Sequence, residues 1–129
     1  MRRYWSESMS DSSTPRKRFH HVGLRAHEPQ PDENLVAPSR CWVTNPDDHP
    51  SRIEFLRYAA DSPIDAEFMD APHVAWEVAE LEPHLAGKEV YLPPFDVGEP
   101  PFAKVAFTKE DGLFVEYMRF SPGRRWFGE

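Results

Sequence analysis

Two histidines and two glutamates recur in this chain in matched surroundings. His21 opens the segment His21-Val22-Gly23-Leu24-Arg25-Ala26 and His73 opens His73-Val74-Ala75-Trp76-Glu77-Val78. Glu54 lies in Ile53-Glu54-Phe55-Leu56-Arg57-Tyr58, and Glu116 in Val115-Glu116-Tyr117-Met118-Arg119-Phe120, a match class for class at six consecutive positions. The chain therefore carries an internal repeat that reads His, Glu, His, Glu, with one nitrogen and one oxygen donor at corresponding places in each half. Two neutral imidazoles and two carboxylates bring two negative charges to one place. That set suits a divalent ion such as Zn, Ni, Mn, Fe or Co, and four protein ligands leave two positions of an octahedral ion open to water and substrate oxygens.

The elements that must position these donors read as strands. Phe19 to Ala26 alternates, placing Phe19, His21, Gly23 and Arg25 on one face and His20, Val22, Leu24 and Ala26 on the other. Glu116 shares a face with Met118 and Phe120, opposite Val115 and Tyr117. If the aliphatic faces pack on helices, with Val22 and Leu24 toward the core, the four donors converge on the opposite, concave face. By the same parity Arg25 and Glu77 share that face, as substrate-pocket candidates whose competing reading is a plain ion pair. Tyr58 and Phe120 follow the two glutamates by four residues and are candidates for a pocket wall. His20 is a rival ligand placed by alternation on the wrong face. His27, His49 and His84 are expected on loops or a helix surface, exposed to solvent.

Further along, Cys41-Trp42-Val43-Thr44 and Arg52 to Tyr58 form a hairpin around Asn45–Pro50. His27 to Pro38 reads as loop with at most one helical turn around Asp32 to Val36. Asp61-Ser62-Pro63 signals the start of a short connecting helix that ends near Met69. Glu80 to Ala86, closed by Gly87, reads as a second short helix. Glu89 to Leu92, Phe102 to Thr108 and Leu113 to Phe120 complete a strand, helix, three-strand order. The first half repeats this order with its helix eroded, since 33 positions separate His21 from Glu54 and 43 separate His73 from Glu116.

With these motifs in view, residues 19 to 120 resemble the vicinal oxygen chelate superfamily, which includes glyoxalase I, methylmalonyl-CoA epimerase, extradiol dioxygenases and bleomycin-resistance proteins. The resemblance is carried by the opening His-Val-Gly-Leu strand, by Ile53-Glu54-Phe55-Leu56 followed by Asp61-Ser62-Pro63, by Pro72-His73-Val74-Ala75-Trp76-Glu77-Val78, and by Gly112-Leu113-Phe114-Val115-Glu116-Tyr117. It implies an α+β fold of two βαβββ modules, residues 19–70 and 71–120, forming a cupped, barrel-like mixed sheet whose first module lacks most of its helix. It also implies that His21, Glu54, His73 and Glu116 are metal ligands, a set more like that of glyoxalase I than the three-ligand set of the dioxygenases. The activity so implied is a metal-dependent lyase, isomerase or epimerase acting on a small oxygen-chelating substrate through a stabilised enolate, with Glu54 or Glu116 doubling as the base. The alternative is a non-catalytic module that sequesters a small molecule, as bleomycin-resistance proteins do. The shortened first module and the lack of an arginine cluster placed for a glutathione or coenzyme A tail depart from the family pattern.

Composition sets the outer bounds. The 129 residues fit one domain, and 40% apolar content with 13% aromatic residues suffices for one packed core. Residues 1–18 hold five basic and two acidic side chains, against ten and twenty in the rest, so the body is acidic and unsuited to nucleic acid despite Arg16-Lys17-Arg18. No apolar run approaches the roughly 20 residues of a membrane span, and a cytoplasmic location is expected. The single cysteine, Cys41, reads as a buried, inert thiol. Residues 1–18 are expected to be a disordered tail, and 121–129 a C-terminal tail either frayed or folded over a partner subunit. A sheet edge left bare by the missing helix suggests a homodimer.

Overall fold

The computed structural model of the chain describes residues 16–127. Eight strands form one mixed sheet: β1 (Arg18–Arg25), β2 (Asn34–Val36), β3 (Cys41–Val43), β4 (Ile53–Tyr58), β5 (His73–Glu77), β6 (Glu89–Val97), β7 (Ala103–Glu110) and β8 (Leu113–Phe120). Two short helices, α1 (Ala66–Asp70) and α2 (Glu82–Leu85), are the α-helices of the described residues. The spatial order β2-β3-β4-β1-β5-β8-β7-β6 keeps each half together and curls the sheet into a half-barrel. In each half the first strand runs parallel to the last, β1 with β4 and β5 with β8, and the halves join where β1 pairs antiparallel with β5. This is the α+β cup that the repeat and the resemblance led us to expect.

The concave interior is the main core, built from Val36, Val43, Leu56, Phe68, Val105 and Phe107 among others. A second, smaller cluster lies on the convex side of the second half, where Leu81 and Leu85 cover Val115, Ala106 and Tyr117. Among the described residues, no helix covers the convex side of the first half. Val22, Leu24, Ile53 and Phe55 are only half-buried there, which corrects the expectation that Val22 and Leu24 face the core: the helix that would bury them is missing.

Local boundaries depart from the sequence reading for identifiable reasons. Asn34–Val36 is a strand paired with Cys41–Val43, followed by a 3₁₀ turn at Ala37–Ser39, rather than a helical turn. The connecting helix starts late, because the Asp65 carboxylate accepts the Phe68 amide as N-cap, while Ser62 donates to the Ser39 carbonyl. β6 runs on through Pro93 and Pro94, which an edge strand with register shifts tolerates because its outer N–H groups need no partner.

The expected disorder of the N-terminal tail falls mostly on residues 1–15, which lie outside the described residues, and β1 already begins at Arg18. The C-terminal segment 121–127 neither frays nor leaves the chain. It folds back over the cup, held where Asn45 Nδ2 donates to the Trp126 carbonyl at 2.9 Å and Arg125 pairs with Asp47 at 3.0 Å.

Candidate metal centre

Strand register alone explains how four residues spread over nearly a hundred positions meet. Across β4, β1 and β5 the residues Glu54, Gly23 and His73 lie in one row, and across β1, β5 and β8 His21, Ala75 and Glu116 lie in the next. In each row a histidine and a glutamate flank a small residue on the strand between them. Smallness there is a steric requirement. A methyl group on Gly23 would stand 2.1 Å from Cε1 of His73, and that ring cannot retreat, being stacked on Phe68 at 5.8 Å and set edge-on to Phe107 at 5.3 Å.

All four side chains are buried, and one donor atom from each lies within 4.8 Å of the others. His21 Nε2 is 3.3 Å from Glu54 Oε1 and 3.3 Å from Glu116 Oε1. His73 Nε2 is 3.2 Å from Glu116 Oε1 and 4.0 Å from Glu54 Oε1. Ligands about 2.1 Å from one ion stand about 3.0 Å apart at right angles and about 3.4 Å apart at tetrahedral angles, so these separations fit a shared cation. Burial opposes a charged His21 ring, but the Glu54 and Glu116 carboxylates outweigh it and push the ring up to about 10. Glu116, against its burial, is held down at about 2 by the His21 and His73 rings.

The sharper sign is what the two Nε2 atoms lack. They are the buried side-chain nitrogens and oxygens, among the described residues, with no hydrogen-bond partner. Buried polar atoms are nearly always satisfied, and two carboxylates held in an apolar cup are unfavourable without compensation. A divalent cation would satisfy both nitrogens and both carboxylates at once. The donor set therefore fits a metal ion, and the group can hold one.

Two neighbours of the group escaped the sequence reading. His20, assigned by strict alternation to the opposite face, is 6% exposed, and its Nδ1 lies 2.7 Å from Nδ1 of His21. A register shift between Phe19 and His21 turns both rings inward, as a bulge does. With a cation on His21 Nε2 the ring proton can sit only on Nδ1, and His20 Nδ1 is then its acceptor, an outer contact that fixes ring orientation. Burial first, and then the charge of His21, push His20 down to about 4, so its ring is neutral and able to accept. Trp126, in the C-terminal segment, is 3% exposed; its indole N–H donates to Glu54 Oε2 at 2.7 Å and its ring stacks on His21 at 6.4 Å. The alternation of β1 could not reveal the bulge. The only signal for Trp126 was a Trp-Phe pair too apolar for a solvated tail.

The remaining pocket candidates separate. Tyr58 lines the cavity beside Glu54 and Glu116. Phe120 packs against the His20 and Trp126 rings. Arg25 and Glu77 lie outside the cavity wall and take up ion pairs, Arg25 with Asp70 and Glu77 with Arg18 at 2.8 Å. His84, expected on a helix surface, is buried and stacked on Tyr117 at 5.1 Å, because α2 lies flat on the sheet.

Solved structures share this fold. A hypothetical protein from Bacillus halodurans C-125 superposes with a TM-score of 0.61 over 85% of this chain and 99% of its own, at 17% identity. A mutant of 4-hydroxymandelate synthase from Streptomyces coelicolor superposes with a TM-score of 0.52 over 88% of this chain, at 16% identity; the match spans 50% of that protein's length. No family model and no curated protein matches the sequence. At these identities the likeness establishes the curled mixed sheet and nothing about activity. No helix among the described residues is long and apolar enough to cross a membrane.

Proposed function

We propose that this chain is a metal-dependent enzyme of lyase, isomerase or epimerase type, acting on a small molecule with adjacent chelating oxygens. The carrying observation is the pair of unpartnered Nε2 atoms facing two buried carboxylates across the seam between the halves. His21, Glu54, His73 and Glu116 would hold a divalent cation of the Zn, Ni, Mn, Fe or Co group. Such an ion supplies Lewis acidity that stabilises negative charge on a substrate oxygen as a proton leaves the adjacent carbon.

The chain's own residues divide the remaining work. Glu54 has one oxygen taken by the Trp126 indole, which holds that carboxylate in place. Either Glu54 or Glu116 would double as the base, and Glu116 carries no such indole contact. The apolar wall around the carboxylates lowers the local polarity, which strengthens each electrostatic contact inside.

A second reading, sequestration without turnover, draws support from the same wall, since a largely apolar pocket suits retention of a small molecule. Elemental analysis of tag-free protein beside a His73→Ala variant tests the first reading. Near-stoichiometric metal that disappears in the variant is the expected result. No metal in either protein after dialysis against Zn²⁺, Mn²⁺ and Ni²⁺ would remove the chelate chemistry. Solvent deuterium exchange into bound 2-oxoaldehyde hemithioacetals or 2-substituted thioesters then separates catalysis from sequestration.

A further inference from the structure

The cup holds a small cavity with Glu54 and Glu116 in its wall. Its other walls come from both halves: Val43 and Leu56 on one side, Leu92, Val105 and Phe107 on the other, with Trp126 across one flank. Beyond the two carboxylates, the polar side chains on this surface are Ser39, Cys41, Tyr58 and the indole of Trp126, all uncharged groups. None of the described lysines or arginines lines it.

The nearby cations are turned away and neutralised. Arg57 pairs with Glu33 at 2.6 Å, Lys109 with Glu67 at 2.7 Å, and Arg52 with Asp47 at 2.8 Å. Among the described residues that line the pocket, Glu54 and Glu116 are the charged ones, and a divalent ion held by them would offset their charge. An anionic group on a ligand, away from the ion itself, would enter an apolar space with no described lysine or arginine to meet it, and unpaired buried charge is strongly disfavoured. The wall residues respond in the same sense: burial first, and nearby negative charge after it, push the Cys41 thiol and the Tyr58 hydroxyl up from their ordinary values.

We infer that the cup takes a compact, uncharged and largely apolar molecule, and rejects substrates that carry a carboxylate or phosphate into the pocket. This rests on the reading of the cup as the functional site, and it narrows the substrate class there to neutral compounds. Thioesters or thiol adducts on highly charged carriers would have to keep the carrier outside.

Calorimetric titration with matched probes tests the inference separately from the metal. In EDTA-treated protein, anisole is compared with benzoate, similar in size and opposite in charge status. In Zn²⁺-loaded protein, catechol is compared with 3,4-dihydroxybenzoate. We expect each neutral probe to bind at least tenfold more tightly than its carboxylate partner. A Leu92→Trp variant, which fills the cavity from an edge strand, should lose anisole binding while keeping its circular dichroism spectrum. If that variant fails to fold, the wild-type comparison still decides. Benzoate binding as well as anisole in the metal-free protein, or neither binding at all, overturns the inference. A failure of the metal reading shows up elsewhere, as catechol binding equally with and without Zn²⁺, and leaves the anisole and benzoate comparison intact.

Discussion

The two halves of the sheet share a strand order and differ in what covers them. In the second half, Leu81 and α2 seal the convex face, so that Val115 and Tyr117 are fully buried. In the first half no helix of the described residues covers the equivalent face, and Ile53 and Phe55 remain half-exposed. On the concave side the relation reverses. The first half receives an extra piece, the segment around Trp126, which is tied to its Asn45–Asp48 turn and reaches a donor, Glu54, that belongs to it. The lesson is that a half-module can lose its helix and keep its site, because register places the donors, while the lost wall is supplied from another part of the chain.

The rows of the seam give the largest expected effect. Gly23 and Ala75 occupy corresponding positions, but only Gly23 lies against a ring with no room for a methyl group. Gly23→Ala should weaken metal binding by more than about 100-fold, beyond what loss of an outer contact costs, with secondary structure retained. Ala75→Gly should change it by less than about threefold. Equal tolerance at both sites, read by competition with a chromophoric chelator, would break the comparison.

Protonation comes next. Because the carboxylates hold the His21 ring up to about 10 in the metal-free protein, a cation must displace its proton, so affinity should rise by about tenfold per pH unit toward that value. The sign for folding is the opposite. A histidine raised in the folded state contributes its full stabilisation below the ordinary histidine pKa, and that contribution fades as pH climbs toward about 10. Glu116, lowered to about 2, contributes above the ordinary carboxylate range and loses its contribution as pH falls toward that value. Denaturant midpoints of metal-free protein across this range check both directions; a flat profile would contradict the ion pairing.

Trp126→Phe should lower metal affinity by about tenfold, since it removes the N–H that fixes Glu54 but keeps a ring on His21. A loss of stability with unchanged affinity would reduce Trp126 to packing. The smallest effect sharpens the contrast between the convex faces. Val115→Ala removes two methylene equivalents from a sealed site and should cost about 1.5–2 kcal/mol, whereas Ile53→Ala removes more carbon from a half-bare surface and should cost under about 1 kcal/mol. Urea midpoints of the two variants decide it.

How much of this could be read from the sequence follows from which interactions are periodic. The repeated phrases around Glu54 and Glu116, and the strands opened by His21 and His73, carried both the architecture and the four donors, because a strand's two-residue period ties side chain to face. The bulge beside His20 breaks that period, and nothing in Phe19-His20-His21 marks it. Trp126 reaches Glu54 through a long-range tertiary contact, which local pattern cannot encode. His84 looked exposed because a four-residue helix is too short to display an apolar stripe. Arg25 and Glu77 shared a face with the donors by parity, but their partners Asp70 and Arg18 lie outside the cup, and pairing took them there.

The crossed rows also bear on how chains of this kind can combine. Each row needs one donor from the first half and one from the second, brought together where β1 pairs with β5, and no donor comes from the peptide that links the halves. Phe68 of the linker is anchored on Tyr91, Phe107 and Phe114 of the second half, so an exchange would have to turn within the stretch 59–65 and release the contact of Ser62 with the Ser39 carbonyl. Two copies that traded first halves about that stretch would rebuild both rows unchanged, each with donors from two polypeptides. Monomer and exchanged dimer would then be chemically identical at the centre, and would differ only in the length and strain of seven linking residues.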